Sequence, residues 1–448
     1  MIERTTLQGF VIKSYSLIAL TLAIVMFSRV LTATVAPSIV DFFHFIAVPL
    51  VFILLCLVTR PQILDAVAGM FAFGTVILVS ALVNSAGMVN VVLEFLLLVE
   101  PFLLLLAVVS VQWSNSSIKQ FRFWLLFFVG VHVALAFSQR FVLGLTGDDV
   151  KGVFLDMEAG HHVAGAVALS AAVYFFVAPP VKSMWFRVAV AVLCAAVVVL
   201  SDAKQVIAVF LVSLLALGLI KWRNVGTVFR YMTILAVAAG ATVLSAITIF
   251  PQLTNWTRMD QIIAGLQQKS TVFPIIASSY SSPLNWLFGL GPGHTIGRLG
   301  WLLPDYSQYL RPLGATSSPV TQAILRANET NWLSNPETGS SVWSLMFSWA
   351  GVWGDLGLVG LATYLLLWWF VWRKFCLDDL SKFFLITILV FGITFSWMEE
   401  PGYMLFVVAL IGLRWQEYQS GKKEIYRKRP EKHVPSEPHI TKTVTYRV

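Results

Sequence analysis

The chain has 448 residues, of which 58% are hydrophobic and 12% charged, and its mean hydropathy is +0.79. A soluble domain carries about 25% charged residues, so this composition excludes soluble, disordered and fibrous proteins. An all-α polytopic membrane protein is the class that fits. The formal net charge of +8 indicates a partner only once its distribution along the chain is known.

Apolar runs of about 20 residues, the length that crosses a bilayer, predict about twelve membrane-spanning helices. The first run is long enough to span, so we expect it to stay as a helix rather than to be removed as a signal peptide. The predicted spans in chain order are Ser14–Ala33, Val40–Val58, Leu64–Val83, Val89–Val111, Phe121–Gln139, His162–Ala178, Met184–Leu200, Val206–Ile220, Tyr231–Ile249, Val352–Trp372, Ser381–Trp397 and Tyr403–Trp415.

The positive charge follows this topology. With the N-terminus in the cytoplasm, every short inner connection is basic, whereas the outer connections around Pro37 and Ser85 carry no Lys or Arg. The tail Gln416–Val448 is also basic, which places both termini inside. The charge therefore indicates topology and contact with membrane lipid at the inner leaflet, and no nucleic-acid partner.

Four segments follow from the predicted spans. Residues 1–250 hold transmembrane helices 1–9, 251–341 form one large outer loop, 342–415 hold helices 10–12, and 416–448 are the basic cytoplasmic tail. A loop of about 90 residues far exceeds an ordinary connection. Its Trp and Tyr residues can bury surface, so we expect the loop to fold. These aromatic rings either form the core of the loop or stack on sugar rings.

The outer segments carry a small set of cations, of which Lys204 is the most informative. It lies in the tight turn Leu200–Gln205 between two apolar helices, at headgroup depth beside a helix N-terminus, where a phosphate binds well. Alternatively, Lys204 reaches the interface and pairs with Asp202. The outer cations are Arg140, Lys151, Lys204, Arg258, Lys269, Arg298, Arg311 and Arg326.

A glycine-rich turn is the second candidate. Gly289, Gly291 and Gly293 permit close backbone approach and unusual dihedral angles. His294 follows directly. It could act as a general base or donate a hydrogen bond to a phosphate, or it could be a hydrogen-bonded loop histidine.

Other polar groups support weaker expectations. The adjacent His161 and His162 point in different directions on a helix and lack a third ligand, so no metal site is predicted. Glu94 and Glu100 lie in one span and are candidates by default, although Glu94 could reach the interface. The pair Glu399–Glu400 is predicted to be a solvated acidic cap. The three cysteines predict no disulfide or metal framework.

Four motifs occur in order between Gly152 and Leu361, and their order and spacing resemble the O-antigen ligase and Wzy-type polysaccharide polymerase superfamily of bacterial envelope enzymes. They are a Gly-x-Phe segment opening a span (Gly152–His162), a Ser-x-x-Lys turn (Ser201–Lys204), a Pro-x-x-x-Leu-Phe-Gly-x-Gly-x-Gly signature in the large loop (Pro283–Gly293) and an acidic-x-Gly-x-x-Gly helix start (Asp355–Gly360).

The resemblance implies a glycosyltransferase of the bacterial inner membrane with a periplasmic loop. Such enzymes use an undecaprenyl-diphosphate-linked glycan as donor, with no nucleotide, metal or other cofactor. Lys204 and Lys269 occupy positions where the family usually has Arg, with Arg258 upstream of the second. Family ligases typically carry a His before the acidic motif. Its absence from Ser344–Trp349 favours a polymerase.

This resemblance and the chemistry of a leaving diphosphate together assign roles. Lys204, Lys269 and Arg258 would hold the diphosphate, with Arg298 or Arg311 assisting. His294 would act at the acceptor, with Glu329 or Glu337 behind it. Further candidates are Arg140, Asp202 and Gln205.

The expected partners are the lipid-linked donor, a glycan acceptor, membrane lipid and a chain-length regulator. Attack opposite the diphosphate would invert the anomeric centre. Three alternatives stay open: a ligase that transfers the finished glycan to lipid A core, a transporter or flippase of lipid-linked glycan, and a non-catalytic envelope scaffold.

Overall fold

The computed structural model describes residues 4–7, 10–56, 61–155, 157, 159–178, 183–222, 226, 229, 233–234, 259–334 and 343–428. Apart from a short hairpin ahead of the first helix, the described chain consists of helices and their connections. The hairpin pairs β1 (Arg4–Leu7) with β2 (Phe10–Lys13) in antiparallel register.

The helices fall into three groups along the chain. The first group is α1 (Ser14–Thr32), α2 (His44–Cys56), α3 (Pro61–Asn84), α4 (Met88–Ser110), α5 (Asn115–Phe141), α6 (Gly160–Val177), α7 (Met184–Leu200) and α8 (Lys204–Ile220). The second is α9 (Met259–Ser270), α10 (Val272–Ser278), α11 (Pro283–Phe288), α12 (Arg298–Asp305), α13 (Ser307–Leu310) and α14 (Pro319–Ser334). The third is α15 (Ser348–Lys374), α16 (Asp379–Thr394) and α17 (Pro401–Lys428).

Membrane-spanning character is clear in this architecture. Helices α7 and α8 are apolar but shorter than a full span. In the described chain, seven stretches are long and apolar enough to cross a membrane: Ser14–Thr32, Ser38–Cys56, Ile63–Asn84, Met88–Ser110, Asn115–Phe141, Gly160–Val177 and Ser348–Lys374. The protein is therefore a polytopic helical membrane protein, as its composition predicts.

The predicted spans match the observed helices closely where both can be compared. The predicted span Met184–Leu200 coincides with α7. The last span was expected to end at Trp415, but α17 continues to Lys428 into the segment predicted as tail. The predicted span Tyr231–Ile249 falls almost entirely outside the described residues. The count of about twelve crossings stays a prediction.

The core is built around α4 and α17. Every residue of α4 from Leu97 to Ser110 and of α17 from Tyr403 to Leu413 is buried. A helix that is apolar on all sides is stable only where other helices surround it. Helix α4 packs against α2, α3 and α17, which makes this pair the centre of the bundle. The three cysteines, Cys56, Cys194 and Cys376, are free and buried.

A second, smaller core lies in the segment predicted as the large loop. It joins α10, α14 and the residues around the start of α15, and its buried members are Val272, Ile276, Ile296, Ile324, Leu345, Phe347 and Ala350. The described residues of this segment thus form helices that share a core with the start of α15. Trp286 packs against Tyr280 at 5.0 Å between ring centroids and keeps 46% of its surface exposed.

Candidate functional site

The glycine-rich turn packs directly onto the backbone of α15. Gly289, Gly291 and Gly293 all have positive φ, at 71°, 107° and 70°. The amide of Leu290 donates to the carbonyl of Gly354 at 2.8 Å. A Cβ added at Gly289 would lie 2.3 Å from the carbonyl carbon of Asp355. Only glycine permits both this conformation and this approach.

Helix α15 is broken at the same contact. Gly357 has φ 67° and ψ −164° inside the helix. A Cβ there would lie 2.4 Å from the carbonyl carbon of Leu287 and 2.5 Å from the amide of Gly289. The two glycine motifs found separately in the sequence therefore form one packed unit, which we call the glycine junction (residues 287–293 and 354–357).

The carboxylate of Asp355 fixes the turn that follows. It is fully buried and accepts hydrogen bonds from the amide of Gly293 at 3.2 Å and from the amide and hydroxyl of Thr295, each at 2.7 Å. A buried carboxylate is tolerated where several donors replace its water. Asp355 thus orients the turn that carries His294.

Two further carboxylates hold the start of α12. The amide of Arg298 donates to Glu399, and its guanidinium forms an ion pair with Glu400. Glu399 and Glu400 are only 2% and 3% exposed, and burial raises the pKa of the Glu399 carboxyl. The prediction of a solvated acidic cap is therefore wrong. The charge of Arg298 is neutralised inside the protein rather than offered to a diphosphate.

Asn90 ties the glycine-rich turn to a second loop segment. Its side chain is fully buried in α4. The Nδ2 atom donates to the carbonyls of Pro292 and Thr316 at 2.8 and 2.9 Å, and Oδ1 accepts from the amide of Thr316 at 3.0 Å. Both backbone groups of Thr316 are therefore paired with one side chain.

His294 has a defined tautomer in this arrangement. Its Nδ1 lies 2.9 Å from the carbonyl of Leu290, and its Nε2 lies 2.9 Å from the hydroxyl of Thr316. A carbonyl only accepts, so the network assigns the proton to Nδ1 and the lone pair to Nε2. Burial lowers the pKa of His294, which favours the neutral ring. The hydrogen-bonded histidine of the sequence analysis is what the structure shows, in the protonation state of a base.

A cavity of about 290 Å³ lies beside this pair. Arg311, Arg326, Thr316 and Thr321 line it, and its described lining includes no acidic residue. Thr321 is 2% exposed, and its hydroxyl has no hydrogen-bond partner in the described chain. A buried hydroxyl of this kind is costly unless a ligand or water pairs with it. The cavity therefore suits an anionic, hydrogen-bonding ligand.

Lys204 lies at a different contact. It is the first residue of α8, and its Nζ is 2.7 Å from Oδ2 of Asp202. Near it, Nε2 of His161 lies 3.4 Å from Asp148. Gln205 is buried. The pairing of Lys204 with Asp202 considered from the sequence is observed. The contact between Lys204 and Asp202 has no residue in common with the hydrogen bonds of His294.

Lys269 anchors the loop rather than facing a cavity. Its Nζ donates to the carbonyls of Ser344 and Thr394 at 2.7 and 2.9 Å, and the side chain lies over the ring of Phe347. The residue is 7% exposed. Burial lowers the pKa of this ammonium to about 7. Lys269 therefore joins the loop segment to the end of α16.

This burial predicts a pH dependence of stability. Between pH 7 and 10.5, the folded and ordinary pKa values of Lys269, the unfolded state binds the extra proton. The free energy of unfolding is therefore expected to rise with pH, by at most about 1.4 kcal/mol per unit. Below that window both states are protonated and the contribution is constant. Thermal unfolding in detergent, compared with the non-ionising Lys269→Met variant, measures this slope. Equal slopes in the two proteins would contradict the assignment.

The other predicted site residues are dispersed. Arg140 donates to the carbonyl of Leu145 at 3.2 Å, and Glu329 is exposed on α14. Arg258 and Glu337 lie outside the described residues. Of the cations predicted to bind diphosphate, Arg298 and Arg311 line cavities in the described chain. Arg298 shares its cavity with Asp41 and Glu400, whereas the lining around Arg311 includes no acidic residue.

The ionisable residues predicted inside the spans are largely paired. Arg29 forms an ion pair with Asp41 at 2.8 Å, and Glu100 contacts His44 at 2.8 Å. Glu94 is buried, and its Oε2 has no hydrogen-bond partner in the described chain. The pairs Arg29–Asp41 and His44–Glu100 stabilise the bundle, since an unpaired charge in a bilayer is expensive.

Sequence reasoning missed the residues that assemble the site. Thr316 and Asn90 had no predicted role, Asp355 appeared only as part of a motif, and Glu399 was predicted to lie in a solvated cap. An Asn in the first turn of an apolar helix was the one available signal for Asn90, because a buried amide requires partners. Thr316 lies in an ordinary Ser/Thr loop and carried no signal.

The fold and the site together define the class: a polytopic helical membrane protein with a glycine junction and a neighbouring cationic cavity. No protein-family model matches the chain, and no curated protein matches it.

Proposed function

We propose that the protein is an inverting, nucleotide-independent glycosyltransferase that polymerises undecaprenyl-diphosphate-linked repeat units on the outer face of the bacterial inner membrane. The observation that carries the proposal is the cavity in which Arg311 and Arg326 stand beside the Thr316–His294 pair. Cations and a neutral base in one place are what glycosyl transfer from a diphosphate requires.

The cavity supplies the leaving-group half of the reaction. As the bond between the anomeric carbon and the diphosphate oxygen breaks, negative charge grows on the phosphate. Guanidinium groups stabilise that charge through paired, charge-assisted hydrogen bonds. Arg311 and Arg326 are exposed side chains lining the cavity, so they can reorient around a ligand without breaking an internal ion pair. In this proposal they take the place first assigned to Lys269 and Arg298.

The base half of the reaction falls to His294. With Nδ1 donating to the Leu290 carbonyl, Nε2 keeps a lone pair directed to the Thr316 hydroxyl. Its depressed pKa keeps it neutral at the pH where it must accept a proton. The fixed turn below it, held by Asp355, prevents the ring from losing this orientation.

The proposal includes the predicted topology: about twelve spans, both termini in the cytoplasm, and the loop 251–341 in the periplasm. The donor enters laterally from the membrane lipid that carries its polyprenyl chain, and a growing glycan on a second carrier is the acceptor. A chain-length regulator is the expected protein partner. No step in this scheme needs a metal or nucleotide.

Removing the cavity cations tests the proposal. The double variant Arg311→Ala/Arg326→Ala is expected to lower kcat/KM for elongation at least about a hundredfold, because charge stabilisation in the transition state is lost. The assay is elongation of purified lipid-linked repeat units by the detergent-solubilised protein. The matched control is Arg373→Ala, an exposed arginine at the other end of α15, which is expected to retain wild-type rates.

The alternatives give different results in the same assays. A strain lacking the protein should accumulate single repeat units on the lipid carrier. Long polymer on the carrier would instead identify a ligase. Absence of elongation by the wild-type protein, together with movement of lipid-linked glycan across proteoliposomes, would identify a transporter.

A further inference from the structure

We propose that the hydroxyl of Thr316 receives the proton of the acceptor sugar and passes its own proton to His294. The inference rests on the proposed function and assigns a second residue to the same step. Thr316 lines the cavity, whereas the lining does not include His294, which is 7% exposed. A group placed between the two must therefore carry the proton.

The hydrogen-bond inventory of Thr316 leaves room for the acceptor. A hydroxyl has one proton and two lone pairs. Its proton goes to Nε2 of His294, because that nitrogen carries the lone pair. One lone pair of Oγ1 accepts from the amide of Gly87 at 2.9 Å. The second lone pair is left for a sugar hydroxyl entering from the cavity.

Thr316 is held more firmly than an ordinary loop residue. Its amide and carbonyl are both paired with the buried side chain of Asn90. The neighbouring Gly314 approaches α4 so closely that a Cβ on Gly87 would lie 1.9 Å from its carbonyl oxygen. Because both sides of the hydroxyl are fixed, the relay needs no rearrangement when the acceptor binds.

The proton relay accompanies the exchange of one bond for another at the anomeric carbon. The acceptor oxygen forms a bond to the anomeric carbon while the bond from that carbon to the diphosphate oxygen breaks, and the electron pair leaves with the diphosphate. The acceptor proton moves to Oγ1 of Thr316, whose own proton moves to Nε2 of His294. The resulting imidazolium is buried and later returns its proton to water or to the leaving diphosphate.

The first test compares the steady-state rates of two variants at Thr316 with that of a control at Thr271. Thr316→Val keeps the shape and removes the hydroxyl, so kcat is expected to fall about a hundredfold or more with little change in KM. Thr316→Ser keeps the hydroxyl and should stay within about threefold of wild type. Thr271→Val is the matched control, an exposed threonine between α9 and α10.

The pH profile separates a relay from a packing role. The acidic limb of kcat in the wild-type protein should report protonation of His294, and it should flatten in Thr316→Val, where the ring no longer takes part. A structural role would lower the rate and leave the shape of the profile unchanged, and that outcome would overturn the proposal. So would a Thr316→Val protein with wild-type kcat.

A solvent-isotope measurement on the wild-type protein tests the relay even if the Thr316→Val variant does not fold. Two protons in transit predict a curved dependence of the single-turnover rate on the fraction of D₂O, whereas a single transfer predicts a straight line. A straight line overturns the relay while elongation itself continues. If the wild-type protein does not elongate at all, the proposed function fails instead, so the two failures are distinguishable.

Discussion

Replacing Gly357 by alanine is expected to destroy the folded state, lowering the free energy of unfolding by more than about 4 kcal/mol. The residue has φ 67°, and its new Cβ would lie 2.4 Å from the carbonyl carbon of Leu287. The contacted atoms are backbone, so no side chain can rotate away. The measurements are the yield of monodisperse protein in detergent and its thermal unfolding midpoint.

Gly144→Ala is the matched control for this prediction. Gly144 has φ 73°, almost the same conformation, but a Cβ there meets nothing within 4 Å. Its substitution should therefore show the conformational cost alone, about 1–2 kcal/mol. If the two variants unfold alike, close packing at the glycine junction contributes nothing, and the description of the two motifs as one unit is contradicted.

Asp355→Ala is expected to produce the second large effect. It leaves three buried donors without an acceptor, namely the amides of Gly293 and Thr295 and the hydroxyl of Thr295. Each unpaired buried donor costs about 1–3 kcal/mol, so a loss of at least about 3 kcal/mol follows. Elongation should disappear as well, because the released turn carries His294. Thermal unfolding and limited proteolysis of the loop measure the two consequences.

A conservative variant at Asp355 and a control at Asp305 accompany this prediction. Asp355→Asn can keep both bonds from Thr295 at Oδ1 and loses the bond from the Gly293 amide at Oδ2, so it should cost about 1–3 kcal/mol, less than alanine. Asp305→Asn, at the exposed end of α12, should leave stability within about 0.5 kcal/mol. An Asp355→Ala protein that melts at the wild-type temperature would show that the carboxylate does not hold the turn.

The helices were predictable because their signal is local. An apolar run bounded by polar residues fixes a helix without reference to the rest of the chain, and Met184–Leu200 was predicted to the residue. The break in α15 was not predictable, because Gly357 in an apolar run cannot be told from an ordinary helical glycine until its partner is known. That partner, Gly289, is far away in the sequence.

The sequence predicted where in the chain the site lies, but not the roles of its residues. The turn Gly289–Gly293 and His294 were found from composition, because glycine and histidine are unusual there. The roles of the cations were not, since a Lys or Arg in a loop looks the same whether it meets a ligand, a carbonyl or a carboxylate. The contacts of Lys269 with Thr394 and of Arg298 with Glu400 depend on tertiary packing, which no local pattern encodes.

The burial of Cys56, Cys194 and Cys376 has a practical consequence. A membrane-impermeant maleimide needs an accessible thiol, and the native chain offers it none. A cysteine introduced at an exposed position, such as Thr271 between α9 and α10 or Arg373 at the end of α15, would be labelled without labelling of the native thiols. The side of the membrane on which each part of the chain lies can thus be mapped in intact cells without first removing the native thiols.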